Sequence, residues 1–180
     1  MNIPMPFNFI QWIEDNRDKL KPPVSNKNMY PMGEDFIVMV VGGPNARKDY
    51  HYNESEEFFY QLEGDIEVTI QQDGKAVKVP IKEGEIFLLP KNTPHNPVRP
   101  ANSVGLVIER VRKGTEMRDG LFWFCDNCNN ELYNERFTLN DIEKDFLDVF
   151  KRYYNNEENR TCKSCGHVME TDSRFTEKGK

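Results

Sequence analysis

The sequence predicts a mainly-β single domain, an antiparallel barrel or sandwich with a helix at each end. Short runs rich in β-branched and aromatic residues, separated by turn residues, fill the stretch from Phe36 to about Arg112. No helical period interrupts that stretch, so its strands have no crossover helices and pair antiparallel. Helical periodicity is confined to a segment before it and a segment after it.

The first of these segments is Phe7 to Leu20, where Phe9, Ile10, Trp12 and Ile13 recur at near-helical spacing before charged residues and the breaker Pro22-Pro23. The strand runs that follow are Phe36 to Val41, Phe58 to Leu62, Asp65 to Gln71, Ala76 to Ile81, Glu85 to Leu89 and Ser103 to Val111. Asp73 and Gly74 lie between two of them and predict a tight hairpin, because both tolerate positive φ. Gly64 and Gly84 punctuate in the same way. From Leu139 to Tyr154 the set Leu139, Ile142, Phe146, Leu147, Val149 and Phe150 returns to helical period, with Thr138 and Asp141 as its start signal. Beyond His167 the chain is polar and predicts a frayed end. The expected organisation is a barrel with its N-terminal helix over 1–118, an extension packed on it over 119–170, and a disordered tail over 171–180.

A length of 180 residues suits one domain with a small appendage. The formal charge of −6 argues against nucleic acid or an anionic membrane as partner, since phosphate binding needs a basic face. No apolar run approaches the roughly 20 residues that span a bilayer. The first residues lack the basic start and apolar core of a secretion signal, so the expected location is cytoplasmic. In a reducing compartment the four cysteines are metal ligands or redox groups before they are disulfides.

Three histidines occur, and two of them, His51 and His95, sit in segments with metal-site spacing. His51 precedes Glu57, and neutral imidazoles with a carboxylate suit a divalent transition metal. Two histidines and one carboxylate on one face leave the opposite face open for substrate and dioxygen, which favours non-haem Fe(II).

Written out, the spacing is His51, Asn53, Glu57 and Gly64, then Gly84, Pro90, Asn92, His95 and Arg99. It resembles the two motifs of the cupin superfamily, a jelly-roll barrel. Asn53 stands where a general cupin has a second histidine, Asn45 and Asn92 where it has glycine, and Arg99 where it has asparagine. The missing histidine frees a coordination position. The segments Phe36 to Asn45, Glu56 to Leu62 and Glu83 to Pro90 sharpen the likeness to the 3-hydroxyanthranilate 3,4-dioxygenase family. Pro22 to Val24, Val107 to Arg110 and the cysteine-bearing tail extend it to nearly the whole chain.

The resemblance implies that His51, Glu57 and His95 ligate Fe(II), that O2 is co-substrate, and that the chain is a homodimer. It implies opening of the 3-hydroxyanthranilate ring between C3 and C4 to 2-amino-3-carboxymuconate semialdehyde, the quinolinate precursor on the kynurenine route to NAD. Arg47 lies four residues before His51 and Arg99 four after His95, and even spacing along a strand shares a face. A guanidinium fork suits a carboxylate, so both are assigned to the substrate acid. Glu109 interrupts the apolar run Leu106 to Ile108 and shares parity with Val107 and Val111, which turns it toward the cavity. The family assigns it to hydrogen bonding with the ring substituents and to proton transfer, with Asn26 on a closing loop and Phe59, Pro97 and Ile142 as apolar walls, core packing being the other reading of Phe59 and Ile142.

Cys125 with Cys128 and Cys162 with Cys165 form two CxxC knuckles that account for every cysteine. Four thiolates predict a tetrahedral site for Fe or Zn, and bacterial members of the resembled family carry a rubredoxin-like iron. His167 reads as a neighbour of that cluster. Alternatives of other classes are a different cupin oxygenase of a small aromatic or thiol acid, and a non-catalytic cupin that binds a metabolite.

Overall fold

The computed structural model describes residues 3–22, 26–140 and 142–176. Pro23, Val24, Asp141 and residues 177–180, on which parts of the expected loop, helix start and tail fall, lie outside the described residues. Helix α1 (Phe9–Asn16) runs into a 3₁₀ turn (Arg17–Leu20). The Asn8 side chain accepts a hydrogen bond from the Gln11 amide at 2.9 Å and so satisfies an orphan donor of the first turn. Ile13 and Leu20 bury against Val40 and Val104, which fastens the helix to the barrel wall.

The strands are β1 (Asn26–Asn28), β2 (Phe36–Gly42), β3 (Tyr50–Asn53), β4 (Glu57–Glu63), β5 (Ile66–Gln72), β6 (Lys75–Ile81), β7 (Ile86–Leu89), β8 (His95–Val98), β9 (Val104–Arg110), β10 (Asp119–Phe124) and β11 (Glu131–Phe137). Among the described residues they form two antiparallel sheets, β1-β2-β9-β4-β7 and β11-β10-β3-β8-β5-β6. Every apolar run named from the sequence is a strand. Asp73 and Gly74 take φ of 51° and 73°, the left-handed pair that the β5–β6 hairpin requires. Asn92, standing where a glycine is the motif residue, also takes positive φ, 64°.

Strands β1, β3, β8, β10 and β11 were not among the apolar runs. β3 and β8 are four residues each and polar, because their inward side chains face a site rather than a core. β10 is buried along almost its whole length and pairs with β3, Leu121 opposite His51. Two strands of the segment 119–170, expected to pack on the barrel as an extension, thus continue its six-stranded sheet.

Inside the barrel, Phe59, Ile66, Val68, Ile81, Leu89 and Val107 form the core. A second core lies outside it, where α2 (Ile142–Tyr154) lays Phe146, Val149, Phe150 and Tyr153 against Leu121 and Trp123. Trp123 stacks on Tyr153 with ring centroids 4.1 Å apart. A short α3 (Glu157–Arg160) leads to the second cysteine knuckle. Phe175 packs on Phe150 and Tyr154, so the described part of the expected tail, through Thr176, has an anchor in this outer core.

Candidate metal centre

The centre is assembled across both sheets. His51 on β3 and His95 on β8 are direct cross-strand partners in the six-stranded sheet. Glu57, at the head of β4 in the other sheet, faces them across the barrel. One ligand atom from each of His51, Glu57 and His95 lies within 4.8 Å of the other two, and all three residues are buried. Such a donor set fits a divalent transition metal, because an anionic oxygen and two imidazole nitrogens converge on one buried point.

Each histidine is oriented from behind. His95 Nδ1 lies 3.0 Å from the Thr93 carbonyl, which leaves Nε2, 3.1 Å from Glu57 Oε2, on the centre. His51 Nε2 lies 2.8 Å from Asp119 Oδ1. A carboxylate or carbonyl on one ring nitrogen fixes the tautomer and the tilt of the ring. Phe146 against His51 and Phe59 edge-on to His95 close the apolar sides, at centroid distances of 5.3 and 6.2 Å.

Glu57 and Glu109 are opposite one another on β4 and β9. Their titrations are driven apart. Burial raises Glu57, but His95, His51 and Arg112 outweigh it and hold the group at about 2. Burial and the neighbouring Glu57 charge push Glu109 upward, against the pull of Arg112. The charges around the two groups thus separate them, holding the Glu57 carboxylate ionised and raising the proton affinity of Glu109. Asn53 donates from Nδ2 to both, at 3.2 Å to Glu57 and 3.4 Å to Glu109. It serves the site as a hydrogen-bond donor where a general cupin would present a ligand.

Arg99 is 2% exposed, and its recorded side-chain bond is from Nη1 to Gln61 Oε1 at 3.2 Å. Its Nε has no hydrogen-bond partner among the described residues. Burial drags its pKa down to about 10, offset only in part by Glu57. A Cβ at position 105 would stand 2.8 Å from Arg99 Nη1, so Gly105 is the gap in β9 that admits the guanidinium. Arg47 differs. It lies in the loop before β3, is 32% exposed, and forms an ion pair with the buried Asp49 while resting over Phe146 and Phe150. Burial opposes its charge, yet Asp49, and Glu57 from the centre, raise its pKa.

Residues 1–154 match the family described as 3-hydroxyanthranilic acid dioxygenase. The chain belongs to that family. It is 51% identical over 170 residues to the 3-hydroxyanthranilate 3,4-dioxygenase of Xanthomonas oryzae pv. oryzae, a match over 94% of this chain and 95% of that one. To the enzyme of the same name from Bacillus thuringiensis it is 48% identical over 164 residues, 91% of this chain and 90% of that one. A solved cupin-2 domain protein from Shewanella frigidimarina aligns at TM-score 0.43 and 15% identity, over 54% of this chain and 89% of that one.

Other positions that the dioxygenase family resemblance named are placed as follows. Glu109 is buried while Arg110 is exposed, the parity expected of β9. Pro97 is half-buried on β8 opposite Val68. Asn26 is exposed on β1, paired with Val41. Sequence reasoning passed over Asp49, Gln61, Gly105, Arg112 and Asp119. Asp119 carried a usable signal, a lone carboxylate heading the apolar run to Phe124, of the same kind that singled out Glu109.

Beyond the dioxygenase family match, the four cysteines converge on their own. Their Sγ atoms lie within 4.8 Å of one another, with Cys125 and Cys162 buried and Cys128 and Cys165 exposed. Sulfur separations of 3.7 Å for Cys125–Cys165 and 3.5 Å for Cys128–Cys162 are far from a disulfide bond. The knuckles match: the Asn129 amide donates to the Cys125 carbonyl at 2.8 Å and the Gly166 amide to the Cys162 carbonyl at 2.9 Å. Both residues take positive φ, 59° and 75°. His167 pairs with Asp126 at 3.3 Å and stands beside the cluster. Among the described residues no helix is long and apolar enough to cross a membrane.

Proposed function

We propose that the chain is a 3-hydroxyanthranilate 3,4-dioxygenase that opens the substrate ring with O2 to 2-amino-3-carboxymuconate semialdehyde. Family membership and close identity to enzymes of that name support the activity. The observation that carries the substrate class is Arg99, a buried cation with no carboxylate in hydrogen-bond reach among the described residues. Such a group costs several kcal/mol of desolvation unless an anion enters to meet it. A small aromatic acid supplies that anion.

In this reading His51, Glu57 and His95 hold Fe(II), and the thiolates of Cys125, Cys128, Cys162 and Cys165 hold a second Fe or Zn. Bound at the triad, Fe(II) supplies Lewis acidity toward the ring substituents and the one-electron chemistry that lets O2 react with a closed-shell ring. Arg99 holds the substrate carboxylate, and Arg47, pre-aligned by Asp49, borders it on the loop side. That places the hydroxyl and amino groups toward the triad. Glu109, with its raised proton affinity, accepts the phenolic proton and returns it as the ring opens. Phe59 and Pro97 line the cavity, and Asn26 belongs to a segment that closes over it. Both oxygen atoms of O2 enter the product, so no external reductant is consumed.

Homodimerisation is part of the proposal. Its support is the family resemblance and the outer face of the five-stranded sheet, where Phe36, Ile86 and Leu88 are exposed beside Phe58 and Ile108. Sedimentation at micromolar concentration reads it directly.

The experiment is anaerobic loading with Fe(II), then addition of 3-hydroxyanthranilate and O2. The expected result is one O2 consumed per semialdehyde formed. Full iron occupancy without oxygen uptake would overturn the assignment.

A further inference from the structure

Behind the centre lies a group that the reaction does not itself require. Arg112 follows the end of β9 and is 1% exposed, one of the most deeply buried side chains of the molecule. Its Nε donates to Asp119 Oδ2 at 2.6 Å and its Nη2 to Asp119 Oδ1 at 2.8 Å, a two-pronged pair. Its Nη1 donates to Glu109 Oε2 at 3.0 Å and to the Arg110 carbonyl at 2.8 Å. Asp119 Oδ1 is also the atom 2.8 Å from His51 Nε2. The bonds therefore run without a gap from Glu109 on one sheet through Arg112 and Asp119 to His51 on the other.

We propose that Arg112 and Asp119 are positioning residues that tie the ligand histidine His51 and the cavity acid Glu109 into one rigid unit. This rests on the reading of His51 as a metal ligand. The physical argument is one of geometry. A planar guanidinium can bridge two carboxylates at fixed angles, and a lysine ammonium cannot. Asp119 is an acceptor only, so the ring nitrogen that faces it carries the proton and the other nitrogen keeps its lone pair for the metal. An isolated Asp119 would cost more in desolvation than its bond to His51 returns, and Arg112 offsets that cost. The same guanidinium fixes Glu109, so the distance between acid and ligand is set by one side chain rather than by two independent rotamers.

Asp119→Asn keeps the shape of the side chain and removes its charge, and metal retention in the folded variant reads positioning apart from stability. Asp119 Oδ1 meets both Arg112 Nη2 and His51 Nε2, so an amide presents its NH2 either to that pair or, flipped, to Arg112 Nε, and in each case the chain of bonds behind His51 is broken. The test measures Fe(II) retention at the first site by competition with a chelator, in protein whose four-cysteine site stays filled, together with thermal unfolding. The expected result is Fe(II) affinity weaker by roughly 10–100-fold, with the absorbance of the thiolate-bound metal kept and the unfolding temperature lowered, because buried Arg112 loses a charged partner. Should Asp119→Asn fail to fold, Arg112→Lys carries the test, since it keeps the charge and loses the bridge. Its expected signature is weakened Fe(II) retention together with a fall in kcat larger than the change in KM. Fe(II) affinity within about twofold of the parent in the folded variant would overturn the inference. A parent protein that binds no metal outside the cysteines would instead sink the reading of the triad.

Discussion

Arg99 is where stability and function pull hardest against each other. Its guanidinium is buried with a neutral partner in Gln61 and, among the described residues, an unpartnered Nε. Replacing a poorly compensated buried charge by an apolar side chain of similar length is often stabilising, by about 1–4 kcal/mol. Arg99→Met is therefore expected to raise the unfolding temperature. It should also cut kcat/KM for 3-hydroxyanthranilate by roughly a hundredfold or more, mostly in KM, because truncating one partner of a buried charge pair costs about 2–5 kcal/mol. Thermal melts and steady-state kinetics on one preparation test both, and an unchanged KM would remove Arg99 from the substrate. Arg47 has Asp49 already, so its part is to border the acid rather than to carry the whole of its charge.

Along the elements, strand register decides what each side chain can reach. Gly105 on β9 lies opposite Gln61 on β4, and a Cβ there would meet both Gln61 Oε1 and Arg99 Nη1 at 2.8 Å. Gly105→Ala should cost about 1–3 kcal/mol as overpacking and raise KM by displacing Arg99, with denaturant unfolding and kinetics as readouts. The seam between β11 and α2 gives a second prediction. Arg152 donates to both oxygens of Glu135, at 3.0 and 2.6 Å, and Tyr133 donates a third bond at 2.6 Å. Burial raises the Glu135 pKa, but these donors outweigh it and leave the carboxyl below its usual range. A lowered folded pKa adds stability above the unfolded value of about 4.3, and that stability is lost as pH falls through the folded value. Arg152 is half exposed, so the pair is worth about 0.2–1 kcal/mol. Glu135→Gln should lose that much at pH 7, and the difference from the parent should vanish in acid; a difference that persists there would point to packing instead.

At the scale of the whole molecule, the four-cysteine site joins the end of β10 to the chain beyond α3, and α2 lies between the two knuckles. A bound metal there closes a long loop over the outer core. Cys125→Ser should lower the unfolding temperature and leave turnover per first-site iron largely intact. Loss of turnover in folded protein with a filled first site would give the cluster a catalytic part.

The sequence by itself determined the mainly-β class, the apolar strands, both cysteine knuckles and the residues of the triad, because period, turn chemistry and ligand spacing are local properties of a chain. It also determined the parity of Glu109, since alternation is built into a strand. Only the tertiary structure decided which groups meet behind the ligands. The contact of Asp119 with His51, of Arg112 with Glu109 and of Gly105 with Arg99 depends on strand pairing between distant segments. So does the addition of β10 and β11 to the barrel sheet. Their side chains are ordinary until register sets them opposite one another, and register is fixed by the packing of two sheets around a shared interior.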